Sequence, residues 1–346
     1  MENLLRKSKK TVARGILQSI GWTPLVQLER YLDMSNVELL VKLESANPGG
    51  SAKDRPAALM LEQAIQNGDV THRSTIIESS SGNMGIGLAQ ACRYHGLRFV
   101  CVVDPRTQAQ NLSIIKALGG EIELVSKPLR GDFLSARIAR VCELLERIPE
   151  SYWPNQYSNP NNPRAHHDGT ISEIDQALDG DFDVLFVATS STGTAQGCRD
   201  YLENRDRNVE VVAVDAMGSV LFGGSAGPRR IPGLGAGKLP RLAIDQTFDR
   251  VERVTDLDCV VGCRRAATRE ALLVGGSAGG VLESVRRMQR ELSGKRCVAI
   301  AHDSGTRYLE TIFNDQWVES ELGCPPHQLT ELVESSGYVS TEQLCR

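Results

Sequence analysis

The sequence predicts an α/β fold built on largely parallel sheets, and three observations carry that expectation. Short runs that are apolar almost throughout, such as DVLFVAT and RCVAIAHD, have strand length and suit strands covered on both faces. Segments with helical periodicity separate these runs. Turns rich in Gly, Ser and Thr stand at several of the passages from strand to helix. With 346 residues the chain exceeds the size at which a single core stops growing, about 250–300 residues, so one or two domains are expected.

In chain order, VELLVKLE, STIIES, RFVCVVD, EIELVS, DVLFVAT, VEVVAVDA and RCVAIAHD read as strands. Helices are expected over 55–67, 83–95, 108–118, 133–147, 194–203, 257–272 and 279–292. Strand-helix alternation of this kind implies right-handed crossovers between parallel neighbours. No period of 20–50 residues repeats, which argues against a solenoid. The stretch 154–168, rich in Pro, Asn and His, breaks the alternation and is expected to cross between domains. After Cys324 the chain is polar with weak periodicity, and a loosely attached tail or lid is expected there.

Composition narrows the partners. Hydrophobic residues make up 41% and charged residues 24%, with a net charge of −4, so no broad basic field exists to attract nucleic acid or an anionic membrane, and a small-molecule substrate is expected. No apolar run approaches the ~18 residues that would span a bilayer. The opening MENLLRKSKK is basic but is followed by no apolar core or small-residue cleavage site, so it does not read as a signal peptide. Nine scattered cysteines without a CxxC pair suggest reduced thiols in a cytoplasmic protein. Cys259 and Cys263 have a spacing that could offer two thiolates to a metal, but nothing nearby completes such a site and none is expected.

Four stretches carry the chemistry. In NPGGSAKDR, Lys53 stands between a Pro/Gly turn and a helix start. ESSSGNMG at 78–85, TSSTGTAQG at 189–197 and GGSAGG at 275–280 each follow a strand and open a helix. Backbone N–H groups at a helix N-terminus, with hydroxyls beside them, make an anion site. None of the turns fits the GxGxxG dinucleotide pattern, and GLGAGK at 233–238 fails the phosphate-loop pattern at Pro232 and Leu239. Taken singly, Lys53 reads as a solvated charge at a helix start, Asn83 as a cap, Ser190–Thr194 as a plain helix entry and Ser277 as a turn residue. Together, a lysine and several phosphate turns suggest pyridoxal phosphate chemistry, in which an amine holds the cofactor and its ring draws electrons from the substrate.

Their order and spacing resemble the fold type II pyridoxal phosphate enzymes, the cysteine synthase and cystathionine β-synthase family. The likeness runs from Gly21 in SIGWTPLVQL to Arg307 and Tyr308 in DSGTRYL. It implies two three-layer α/β domains with pyridoxal 5′-phosphate in the cleft between them: a larger domain of residues 1–46 and 151–323, a smaller one of 47–150 that closes on substrate, and a tail of 324–346. It further implies that Lys53 holds the cofactor as a Schiff base, that Asn83 bonds its 3′-oxygen, and that Ser190, Ser191, Thr192, Gly193 and Thr194 wrap its phosphate. Ser277 would meet the pyridine nitrogen. A serine hydroxyl cannot keep that nitrogen protonated as a carboxylate would, which suits elimination and replacement at Cβ. A homodimer is the family's usual assembly.

The chain departs from cysteine synthases at three places. Met84 replaces the last threonine of the asparagine loop, Ser190-Ser191-Thr192 replaces Gly-Thr-Gly, and Tyr157 stands where phenylalanine is usual. Added hydroxyls on Tyr157 and Ser190 would favour a phosphate leaving group over acetate, while Ser80, Ser81, Gly82 and Met84 would shape the carboxylate pocket. With GSVLFGG, PGLGAGKLP and YWPNQYSNP, these departures resemble the branch of the family that joins O-phospho-L-serine to L-glutamate during siderophore biosynthesis. Arg137, Arg229, Arg230 and Arg307 are candidate partners for the glutamate carboxylates, and His166 and His167 either line the site or make structural hydrogen bonds.

Overall fold

The structure, a computed structural model, describes residues 12–34, 36–129 and 131–341. The basic segment at 1–11 and Cys345 lie outside the described residues. In chain order the strands are β1 (Leu25–Leu28), β2 (Glu38–Leu43), β3 (Thr75–Ser79), β4 (Arg98–Val103), β5 (Glu121–Leu124), β6 (Ser151–Tyr152), β7 (Val184–Ala188), β8 (Glu210–Ala216), β9 (Arg250–Val254) and β10 (Arg296–Ala301). The α-helices are α1 (Asp54–Asn67), α2 (Asn83–His95), α3 (Ala109–Ala117), α4 (Phe133–Arg147), α5 (Asn161–Ala165), α6 (Ser172–Ala177), α7 (Gly193–Asn204), α8 (Asp256–Glu270), α9 (Gly276–Met288), α10 (Asp315–Leu322) and α11 (Pro326–Glu334). A π-helical turn, His166–Ile171, joins α5 to α6.

Two compact units form. Of the described residues, the first takes 12–22 and Asn47–Ala165, the second Thr23–Ala46 and 166–341. In the first unit the strands run in the order β5-β4-β3-β6, all parallel. Successive side chains of a strand point to opposite faces. Thus Ile76, Phe99, Cys101 and Val103 pack with Met60 and Leu61 of α1 and Leu88 of α2, while Ile77, Val100 and Val102 pack with Val141 and Leu144 of α4. Helices on both faces of a parallel sheet make the three layers.

The second unit holds a sheet in the order β1-β2-β10-β7-β8-β9, antiparallel only at the β1 edge. Val41, Phe186, Val212 and Ala299 face Val260 of α8 and Val281 and Val285 of α9. From the opposite face Leu40, Leu185, Val187 and Ile300 pack with Cys198 and Leu202 of α7. Helices α8 and α9 approach so closely at Gly262 and Gly279 that a Cβ on either would strike the other's backbone. The glycines of GGSAGG therefore serve helix packing as much as ligand approach.

The division differs from the expected one at three places. Residues 151–165 stay with the first unit because β6 pairs with β3 and because Trp153 and Gln156 donate to the buried carboxylate of Glu78. Residues 12–22 join the same unit, where Gly21 N–H donates to Asn47 Oδ1 at 2.9 Å. The tail is not a loose appendage. Leu329, Leu332 and Val333 of α11 are buried in the main core of the second unit, and the fully buried Arg265 donates to Val333 O at 2.8 Å and Ser335 O at 3.2 Å.

Candidate active site

In the first unit the lysine segment is shaped by its own turn. Pro48 and Gly49 occupy the centre of a β-turn closed by Gly50 N–H donating to Asn47 O at 2.8 Å, and Gly50 follows at φ +82°. Asn47 donates to Ser51 O at 3.2 Å. The Asp54 carboxylate accepts from Gly49 N–H and from Ser51 Oγ. Lys53 thereby sits at the N-cap of α1, half-buried, with its N–H bonded to Ser51 Oγ at 3.2 Å. Gly87 of α2 lets that helix lie against Lys53: a Cβ there would come within 3.1 Å of Lys53 O and 2.9 Å of Ala57 Cβ. The close approach ties the start of α2, with Asn83, to the start of α1.

The asparagine loop is equally self-contained. Ser80 Oγ accepts from Gly82 N–H at 3.3 Å and Gly85 N–H at 2.9 Å. Ser80 N–H donates to Val102 O, Cys101 Sγ to Ser80 O and Asn111 Nδ2 to Ser81 O. Asn83 is the first residue of α2 and half-buried. Met84 differs from its expected surroundings: it is buried among Ile86, Leu88 and Ile115 in the hydrophobic core. Its bearing on a carboxylate pocket is thus the hydroxyl it lacks. Tyr157 is half-buried and follows a segment fastened by Glu78.

Glu78 is the penultimate residue of β3 and is not singled out by the sequence reading, although an acidic residue near the end of an apolar strand is the available signal. Its fully buried carboxylate accepts from Trp153 Nε1 at 2.9 Å, Ser79 N–H at 2.8 Å and Gln156 N–H at 3.2 Å. Burial pushes its pKa up to about 7, against the opposing pull of these donors.

In the second unit the turn after β7 opens α7. Thr192, at φ +67°, caps the helix. The first N–H groups of any helix have no intrahelical acceptor and carry the positive end of its dipole. Ser191, Thr192, Gly193 and Thr194 are buried there and Ser190 half-buried. Ser190 Oγ donates to Gly235 O at 3.0 Å, and Thr192 Oγ1 to Ser191 O at 2.7 Å. The proton expected on Ser190 for a leaving group is therefore engaged with the backbone. Ser277 is the second residue of α9 and 5% exposed. A hydroxyl at a helix start can donate to a ligand's ring nitrogen.

The remaining candidates separate. Arg137 is buried on α4 with Nε 3.3 Å from Asp104 Oδ2. Arg230 is an exposed residue paired with Glu321 at 3.3 Å, and Arg229 Nη1 lies 3.5 Å from Leu234 O. Arg307 is half-buried in the 3-10 turn Gly305–Tyr308. His167 pairs with Asp168 at 2.7 Å. His166 is fully buried against Thr170 and Thr194. Cys259 and Cys263 are buried thiols whose pKa burial raises, and the described residues contain no cluster of three or more His, Cys, Asp or Glu suited to a metal. No described helix is long and apolar enough to cross a membrane.

A lysine at a helix start, a hydroxyl-lined turn before α7 and a serine at the start of α9, on two three-layer α/β units, define a fold type II pyridoxal phosphate enzyme. Residues 16–303 match the family described as "Pyridoxal-phosphate dependent enzyme", and the chain belongs to that family. It is 43% identical over 309 residues, 89% of this chain and 91% of the other, to an N-(2-amino-2-carboxyethyl)-L-glutamate synthase of Ralstonia nicotianae. Among solved structures it resembles a cysteine synthase from Entamoeba histolytica, with TM-score 0.83 and 30% identity over 92% of this chain and 98% of that one. It also resembles an O-acetylserine-dependent cystathionine β-synthase from Helicobacter pylori, with TM-score 0.80 and 31% identity over 87% and 99%.

Proposed function

We propose that this enzyme joins O-phospho-L-serine and L-glutamate to give N-(2-amino-2-carboxyethyl)-L-glutamate and phosphate. The observation that carries the reading is the 43% identity, over nearly the whole of both chains, to a synthase named for that product. The product is a glutamate whose nitrogen is bonded to Cβ of a serine skeleton, so its synthesis needs a serine activated at its β-oxygen and the free amine of glutamate. Bound pyridoxal phosphate supplies an electron sink conjugated to the donor's Cα. Lys53 holds the cofactor between turnovers, and its Nζ takes the proton from Cα and later returns it. The turn Ser190–Thr194 binds the cofactor phosphate, Asn83 its 3′-oxygen and Ser277 its ring nitrogen. Ser80, Ser81 and Gly82, with Met84 behind them, orient the donor's carboxylate, and Tyr157 and Ser190 line the path of the departing phosphate. The product is a precursor of L-2,3-diaminopropionate for a siderophore such as staphyloferrin B, made by a homodimer in the cytoplasm.

Purified protein supplied with phosphoserine and either glutamate or sulfide tests the reading, with the amino acid product identified by mass spectrometry and phosphate release measured alongside. The glutamate adduct is the expected product. Cysteine as the dominant product would overturn the proposal in favour of a cysteine synthase, the alternative within the same family. A Lys53→Ala protein is expected to release no phosphate.

A further inference from the structure

His166 opens the π-helical turn His166–Ile171 and is fully buried. Its Nδ1 lies 2.9 Å from Thr170 Oγ1 and its Nε2 3.2 Å from Thr194 Oγ1, on the second residue of α7. A neutral imidazole has one donor and one acceptor nitrogen, whereas a hydroxyl gives one proton and accepts through its lone pairs. Two arrangements follow. If Nε2 accepts, the Thr194 proton is engaged by the ring and the oxygen turns lone pairs toward the start of α7. That is the wrong polarity for a helix N-terminus that attracts anions. If Nε2–H donates, the Thr170 proton closes on Nδ1 and the Thr194 proton stays available to an anionic acceptor. Within the turn neither Ser190, which donates to Gly235 O, nor Thr192, which donates to Ser191 O, replaces that proton. π-helical turns are rare and concentrate at functional positions.

We propose that His166 is a positioning residue for the anion-binding turn, its Nε2–H holding the Thr194 oxygen so that the Thr194 hydroxyl proton points at a bound phosphate. The proposal rests on the cofactor reading above and assigns a role to a residue that need not touch the cofactor.

The test compares binding of pyridoxal 5′-phosphate and of pyridoxal to the full chain freed of cofactor, for the wild type, His166→Phe and His166→Gln. The wild type is expected to prefer the phosphorylated form. His166→Phe should lower that preference about tenfold or more, the scale of a hydrogen bond to a charged group, with pyridoxal affinity unchanged. His166→Gln, whose amide N–H can reach the place of Nε2, should keep most of it. An undiminished preference in His166→Phe overturns the role of His166 and leaves the cofactor reading standing. A wild type with no preference for the phosphorylated form overturns both. Nitrogen NMR of the wild type tests the tautomer without any variant: a ring protonated at Nε2 is expected at neutral pH, and one protonated at Nδ1 overturns the proposal.

Discussion

Glu78 and Glu283 are both fully buried, one in each unit, and they are held in opposite ways. Glu283 accepts from the Tyr31 hydroxyl at 2.8 Å and lies 3.0 Å from the Arg286 guanidinium. Arg286 in turn donates to Ser335 O at 2.9 Å, Ser335 Oγ at 2.6 Å and Gly337 O. Neighbouring Arg265 donates to Tyr31 O at 2.8 Å and forks onto both oxygens of Asp33 at 3.0 and 2.9 Å. Among the described residues Glu78 has no cationic hydrogen-bond partner, only the indole and backbone N–H donors. One acid belongs to a charge-balanced network that fastens a chain end. The other fastens the segment before Tyr157 with dipoles alone, which leaves its protonation open near neutral pH.

The charge-balanced side should show the larger single effect. Removing the fully buried Arg265 should cost about 3–5 kcal/mol, because it leaves a cavity and takes the donor from buried carbonyls at about 1–3 kcal/mol each. Arg265→Ala would strand Tyr31 O and Val333 O and weaken the hold on Asp33, which keeps Arg269 at 3.3 Å and the Gly337 N–H at 2.9 Å. We expect a stability loss of that size in urea unfolding, and cleavage by protease within 324–341 at concentrations that leave the wild type intact. An unaltered cleavage pattern would mean that apolar packing of α11, and not the arginine, retains the tail.

For Glu78 the expected effect depends on pH. Its folded pKa of about 7 lies above the ordinary glutamate value near 4.5, so the folded state takes up the proton more readily than the unfolded one between those values. Its contribution is fully present below pH 4.5 and is lost as pH rises through 7. At about 1.4 kcal/mol per pH unit the loss comes to about 3 kcal/mol. Glu78→Gln should flatten this slope. Urea midpoints at pH 5, 6, 7 and 8 are expected to fall for the wild type relative to the variant, and parallel curves would show that the surrounding N–H donors keep the carboxylate ionised throughout.

The same contrast explains what was legible in the sequence. Central strands such as β3, β7 and β10 are buried on both faces, so their apolar runs announced them. The edge strands β1 and β9 are half-exposed, and RVERV gives no continuous apolar run to find. The tail looked polar because α11 buries only three side chains and depends on Arg265 and Arg286, residues distant in sequence, for its anchorage. Lys53, Asn83 and Ser277 could be found because each lies at a helix start marked by a turn motif. Glu78 reaches Gln156, 78 residues away, and His166, a candidate in the sequence, reaches Thr194, 28 residues away; no local pattern reports such contacts.

The smallest effect expected is at the cap of α8, where the second unit's redundancy can be measured. Thr255 Oγ1 accepts from Asp258 N–H at 3.0 Å and Asp258 Oδ2 accepts from Thr255 N–H at 2.9 Å, a reciprocal capping box. The tail reaches the same acid: Thr341 Oγ1 donates to Asp258 Oδ1 at 2.8 Å, and Arg287 lies 3.3 Å from Oδ2 with its guanidinium over the Tyr338 ring. Thr255→Ala removes the cap hydroxyl and should cost about 1 kcal/mol, the usual scale for such a loss. Thr255→Ser should restore it. Because Thr341 and Arg287 still hold Asp258, cleavage within the tail should not increase, in contrast to Arg265→Ala. A loss of several kcal/mol with early release of the tail would instead make the cap hydroxyl, through its 2.6 Å contact with Thr341, a principal tie between α8 and the chain end.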